Sequence, residues 1–170
     1  MCSTLEGGPM GNGNFRTFRG YQLEKQDRML LTPSMEDYLE MIYRIHLEEG
    51  YVRINQLAEK LNVRASSATR TVQRLAERGL VDYEKYEVIQ LTKRGERVGE
   101  FLLKRHLLVQ EFLENIGVKD TILKDTEMIE HNISDSALQA IKIFNNFLND
   151  NPDILQKYVD YRKRAQQKDT

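Results

Sequence analysis

The spacing of apolar residues predicts a mainly α fold: an N-terminal winged helix-turn-helix followed by a second, helical domain. Three observations carry this expectation. Apolar positions recur at helical intervals from Met35 to Tyr161. Two short amphipathic stretches around Asn62-Val63-Arg64 are followed by two short apolar runs, 80–83 and 88–91. The helices after Thr92 carry more apolar surface than one small helical layer can bury, and a second copy of the chain is the natural outlet.

The first thirty residues are rich in Gly and polar side chains, Gly7-Gly8-Pro9-Met10-Gly11-Asn12-Gly13-Asn14 among them. Such a composition builds little core, so residues 1–30 are expected to be a flexible extension. A phosphate-binding loop is excluded there, because neither a preceding strand nor a Gly-Lys-Ser/Thr ending is present. Order is expected from Leu31-Thr32-Pro33-Ser34, with Ser34 as the N-cap and Asp37 three residues on. Met35, Tyr38, Leu39, Ile42 and Ile45 form the apolar stripe of this helix, and Gly50 stops it. Asp37 and Glu40 stand one turn apart beside the stripe, as a first-turn acid and a solvent-facing acid or as a pair of ligands.

The next two helices are expected over 54–61 and 65–78, with Gly79 closing the second. The second presents Arg64, Ser66, Ser67, Thr69 and Arg70, the residues expected to meet bases or phosphates of a double-stranded DNA major groove. From Arg53 to Arg78 six basic residues face two acidic ones, although the whole chain carries −1. That asymmetry suits a phosphate-facing surface. Glu84-Lys85-Tyr86-Glu87 is expected to turn between the two strands of the wing. A small helical subdomain with a packing hairpin is the plainer alternative for this block.

Thr92 is the expected N-cap of a long helix to Asn115, with His106 inside its apolar stripe. Asp125-Thr126-Glu127-Met128-Ile129-Glu130-His131 follows. As a helix it places Glu127, Glu130 and His131 on one face, at i, i+3 and i+4. Two carboxylates and an imidazole are donors for a divalent cation of hard to borderline character; a solvated acidic face is the competing explanation. Helices over 134–149 and from Pro152 complete the chain. The expected domains are 1–30, 31–92 and 93–170.

Composition sets the remaining bounds. The 170 residues are 40% hydrophobic and 30% charged, as in ordinary globular proteins. The single Cys2 excludes an intramolecular disulfide, no apolar run approaches membrane-spanning length, and the N-terminus has no apolar signal core. A cytoplasmic protein without a membrane partner is the expectation.

Thr32-Pro33-Ser34-Met35-Glu36-Asp37-Tyr38-Leu39-Glu40, the later Glu127-x-x-Glu130-His131 and His106 between them resemble the DtxR/MntR family of metal-dependent repressors. Tyr83-Glu84-Lys85-Tyr86 also resembles the family's wing. The manganese-responsive branch is the closer one, since the iron-responsive branch has Met where this chain has Asp37 and Cys where it has Glu127. Asn132 stands where some relatives carry a second His. The resemblance implies that Asp37, Glu40, His106, Glu127, Glu130 and His131 are metal ligands, that Mn²⁺ is the cofactor at two ions per subunit, and that a homodimer binds palindromic operator DNA at metal-uptake genes. It implies no enzymatic activity and no small organic substrate. Oxygen-rich ligation with two imidazoles suits Mn²⁺, although other divalent metals such as Zn²⁺ could bind such groups more tightly. A di-metal carboxylate helical enzyme is one competing function, but such bundles favour Glu-x-x-His pairs. A metal-independent winged-helix regulator is another.

Overall fold

The long helix near the middle of the chain packs against the first helix and against the two helices that follow it. The structure, a computed structural model, describes residues 31–83 and 88–167. The expected extension 1–30, the wing turn 84–87 and residues 168–170 lie outside the described residues. From Thr32 to Thr170 the chain forms one compact unit.

Helix α1 spans Pro33–Glu49. Its N-cap is Thr32, whose hydroxyl accepts from the Met35 amide at 3.4 Å, and not the expected Ser34. Pro33 explains the difference: it has no N–H to satisfy and its fixed φ suits the first helical position. Asp37 consequently sits in the second turn, past the reach of a capping box. Gly50, at φ 76°, closes the helix in the left-handed conformation. The buried face of α1 carries Met35, Tyr38, Leu39, Ile42 and Ile45, and also the carboxylates Glu36 and Glu40.

Helices α2 (Ile54–Lys60) and α3 (Ala65–Glu77) form the helix-turn-helix. Asn62 adopts φ 53° in the turn, where Asn is one of the few side chains that tolerate a left-handed backbone. Helix α3 buries Ala68, Val72 and Leu75 and leaves Arg64, Ser66, Ser67 and Arg70 exposed. Strands β1 (Val81–Asp82) and β2 (Gln90–Leu91) pair antiparallel, Val81 opposite Leu91. A bridge from Val52 to Ile89 extends this small sheet towards the loop after α1.

Helix α4 (Lys93–Ile116) begins at Thr92, whose hydroxyl accepts from the Gly95 amide at 3.0 Å and donates to the Gly79 carbonyl at 2.9 Å. Its first turns lie tightly against Leu80, which follows α3, and against α1. A Cβ on Gly95 would stand 1.8 Å from the Leu80 carbonyl oxygen, and one on Gly99 would stand 2.7 Å from the Tyr43 Cβ. The C-terminal part of α4 packs on α5 (Ile122–Glu130) and α6 (Asp135–Asp150), and α7 (Pro152–Gln166) packs on α6. Asn145, fully buried on α6, donates to the Leu108 carbonyl and the Glu111 carboxylate, fixing α6 against α4. Large apolar side chains remain exposed on this side of the molecule, among them Leu107, Leu123, Met128, Ile143 and Phe147.

The Gly95 contact gives a direct test. Gly95→Ala must move the backbone around Leu80, an overpacking that costs about 1–3 kcal/mol. Gly99→Ala meets only the Tyr43 side chain and should cost less. Urea unfolding of both variants checks the order; equal midpoints to the parent would show that the helix does not approach Leu80 as described.

Candidate metal centre

Three helices bring charged side chains to one buried place. Helix α1 contributes Glu36, Asp37 and Glu40, α4 contributes Arg105 and His106, and the end of α5 contributes Glu130 and His131. His131 is the C-cap of α5, so its ring continues the face begun by Glu130. Two sets of donor atoms result, each lying within 4.8 Å of one another: Asp37, Glu130 and His131, and Glu40, His106 and Glu130. Glu130 belongs to both and is only 2% exposed.

The distances define the arrangement. His106 Nδ1 is 2.9 Å from Glu130 Oε2 and 3.8 Å from Glu40 Oε1. His131 Nε2 is 3.0 Å from Asp37 Oδ1 and 3.8 Å from Glu130 Oε1. Arg44 donates from Nε and a terminal nitrogen to Glu40 Oε1, at 2.9 and 2.6 Å. Two groups absent from the sequence-based set join the centre. Glu36 Oε2 accepts from Arg105 at 2.8 Å and lies 2.8 Å from His131 Nδ1. Glu36 and Arg105 are both buried.

Five of the six sequence-derived ligand candidates therefore converge: Asp37, Glu40, His106, Glu130 and His131. Glu127 is exposed and lies outside both sets, although its charge reaches Asp37. Of the DNA-facing candidates, Arg64, Ser66, Ser67 and Arg70 are exposed along α3, while the half-buried Thr69 donates its hydroxyl to the Ala65 carbonyl.

The electrostatics are those of a site built for positive charge. The hydrogen bond to Glu130 raises the His106 pKa most, burial opposes it, and Glu40 adds to the rise. Burial raises the Asp37 carboxyl pKa; the His131 charge lowers it, and Glu130 and Glu127 push it up further. Three buried or half-buried carboxylates and two imidazoles, with no thiolate or thioether, offer oxygen and nitrogen donors that fit a hard to borderline divalent cation. Among the described residues no helix is long and apolar enough to cross a membrane.

Both pKa shifts act on stability with the same sign. A raised folded-state pKa gives stability that is complete below the ordinary value and is lost as pH rises through the raised one. For Asp37 the loss begins above 3.8, and for His106 above 6.5. The metal-stripped protein is thus expected to melt at lower temperature as pH goes from mildly acid to mildly alkaline. Glu130→Gln should flatten the upper part of that fall. Melting curves in a chelating buffer check this, and a melting temperature that climbs over the same range contradicts it.

The comparisons with known proteins agree with this architecture. Residues 30–89 match the iron dependent repressor N-terminal DNA binding domain, and residues 92–158 match the iron dependent repressor metal binding and dimerisation domain. The HTH-type transcriptional regulator MntR of Oceanobacillus iheyensis is 46% identical over 120 residues, covering 70% of this chain and 82% of the relative. MntR of Lysinibacillus sphaericus is 42% identical over 127 residues, covering 74% and 91%. A solved structure of the manganese regulator SloR aligns with TM-score 0.61 at 32% identity, covering 69% of this chain; the chain spans only 55% of that longer protein. The chain belongs to the iron-dependent repressor family, the DtxR/MntR family of metal-dependent transcriptional repressors, and its domains are those of a DNA-binding regulator and not of an enzyme.

Proposed function

We propose that this repressor is manganese-responsive and metal-activated, binds palindromic operator DNA as a homodimer, and controls metal-uptake genes. The observation that carries the reading is the sharing of Glu130 between two donor sets, each of which also draws one carboxylate from α1. Residues 31–92 form the DNA-binding half in this reading, 93–170 the metal-binding and dimerising half, and 1–30 an extension. The names of the MntR relatives and of the manganese regulator SloR support the choice of manganese. So does the donor set, which holds no sulfur ligand.

Two ions per subunit would be held by Asp37, Glu127, Glu130 and His131 on one side and by Glu40, His106 and Glu130 on the other. Bound Mn²⁺ supplies positive charge that neutralises the converging carboxylates. Asp37 and Glu40 are the ligands that tie α1, and with it the helix-turn-helix, to α4 and α5. Without that neutralisation the carboxylates repel one another and the halves hold together less firmly. With it, the two recognition helices of a dimer keep a spacing of about 34 Å, one turn of DNA. Arg64, Ser66, Ser67, Thr69 and Arg70 read the groove; Thr69, whose hydroxyl donates to the Ala65 carbonyl, offers its methyl group. The exposed apolar side chains of α4 to α7 are the surface for the second copy.

Two experiments test this reading. Glu127→Ala and His131→Ala should each abolish Mn²⁺-stimulated operator binding and leave a folded dimer, since neither side chain belongs to the helix-turn-helix. Operator titration at fixed Mn²⁺, beside size measurement of the metal-free variants, decides it. Normal repression by Glu127→Ala in Mn²⁺ would remove the clamp. Arg70→Ala should instead reduce discrimination between operator and random DNA by about 1–3 kcal/mol, leaving Mn²⁺ uptake intact. Unchanged affinity for both DNAs would take Arg70 out of the readout.

A further inference from the structure

Glu36 is buried beside the metal centre yet belongs to neither donor set. Its Oε2 takes both available partners: a terminal nitrogen of Arg105 at 2.8 Å and Nδ1 of His131 at 2.8 Å. The opposite ring nitrogen, Nε2, faces Asp37 and Glu130. A carboxylate can only accept, so the hydrogen between Glu36 and the imidazole sits on Nδ1, and Nε2, 3.0 Å from Asp37 Oδ1, is the nitrogen left to exchange that acid contact for a cation.

We propose that Glu36 is a positioning residue for the metal centre: held in place by Arg105, it keeps the His131 proton on Nδ1 and so presents the Nε2 lone pair to the cation. This rests on the reading above that His131 is a ligand. The arrangement is a carboxylate bonded to the far nitrogen of a ligating imidazole, which fixes ring orientation and tautomer and makes the ligand nitrogen more basic. Arg105 has a separate task. It pairs at 2.8 Å with a carboxylate that would otherwise add a further uncompensated charge to an already acidic pocket. Glu36 stands on α1 and its two partners on α4 and α5, so the contact also ties the two halves of the molecule independently of metal. The ligand His131 is therefore aimed before metal arrives.

The test separates positioning from packing. Removing Glu36 alone strands the Arg105 charge, so the main variant is Glu36→Ala with Arg105→Met. Calorimetric titration of the metal-free proteins with Mn²⁺ should show binding weakened by about 10–100-fold relative to Arg105→Met alone. Glu36→Gln in the same background keeps an oxygen for the Nδ1 proton and should restore most of the affinity. In ¹⁵N-labelled protein loaded with ¹¹³Cd²⁺, the metal–nitrogen coupling of His131 should fall on Nε2 in the parent and spread over both ring nitrogens when Glu36 is Ala. Coupling to Nδ1 in the parent, or unchanged Mn²⁺ affinity without Glu36, overturns the proposal. So does a Gln variant as weak as the Ala variant. His131→Ala run alongside tells the failures apart. If it binds Mn²⁺ as tightly as the parent, the ligand assignment falls and this inference with it. If it binds weakly while the Glu36 variants bind normally, only the positioning role is lost.

Discussion

Glu130 is the constraint on which the arrangement of the helices depends. A carboxylate 2% exposed at the end of a helix cannot be left alone, because an uncompensated buried charge is strongly unfavourable. The chain meets it with His106 at 2.9 Å and with His131 across its other oxygen. Those imidazoles in turn face carboxylates from α1, Glu40 and Asp37. The result is an alternation of acid and imidazole that crosses from the N-terminal helix to α4 and α5. Its carboxylates outnumber the side-chain cations within it, and the family's metal-binding domain supplies the reason for such an excess.

The same contacts tie regulation to architecture. Helix α4 starts against the DNA-binding domain, anchored at Thr92 and pressed against Leu80 through Gly95, and it runs on to pack with α5 and α6. A rigid spine of this kind cannot by itself make DNA binding conditional. In the proposed reading the conditional contact is the one farther along, where α1 meets α4 and α5 through ionisable groups. Glu36 and Arg105 bond to each other across this contact, and in that reading Asp37 and Glu40 are the acids whose repulsion a cation would relieve.

Much of this was legible in the sequence because helical periodicity and caps are local signals. Gly50, Thr92, Gly117 and Ser134 end or begin helices as their residue types suggest. The start of α1 was displaced by two residues because two cap candidates flank Pro33, and only the backbone requirement of Pro separates Thr32 from Ser34. The i, i+3, i+4 spacing anticipates that Glu130 and His131 lie together, whereas Glu127 is exposed and falls outside both donor sets. Glu36 and Arg105 gave no signal of their own. Each is a charged residue beside another charged one on an amphipathic helix, Glu36 next to Asp37 and Arg105 next to Lys104, and such positions are usually solvated. Their pairing across 69 residues is a tertiary fact. The one available clue was that Arg105 adjoins His106 within a stripe otherwise expected to be buried.

In the proposed reading Glu130 serves two cations, each of which also takes a carboxylate from α1. Anomalous diffraction from crystals grown with Mn²⁺ tests it most directly. The account predicts two peaks per subunit, both within bonding distance of Glu130, one also bonded to Asp37 and the other to Glu40. A single peak, or ions held only by residues of α4 and α5, would contradict it.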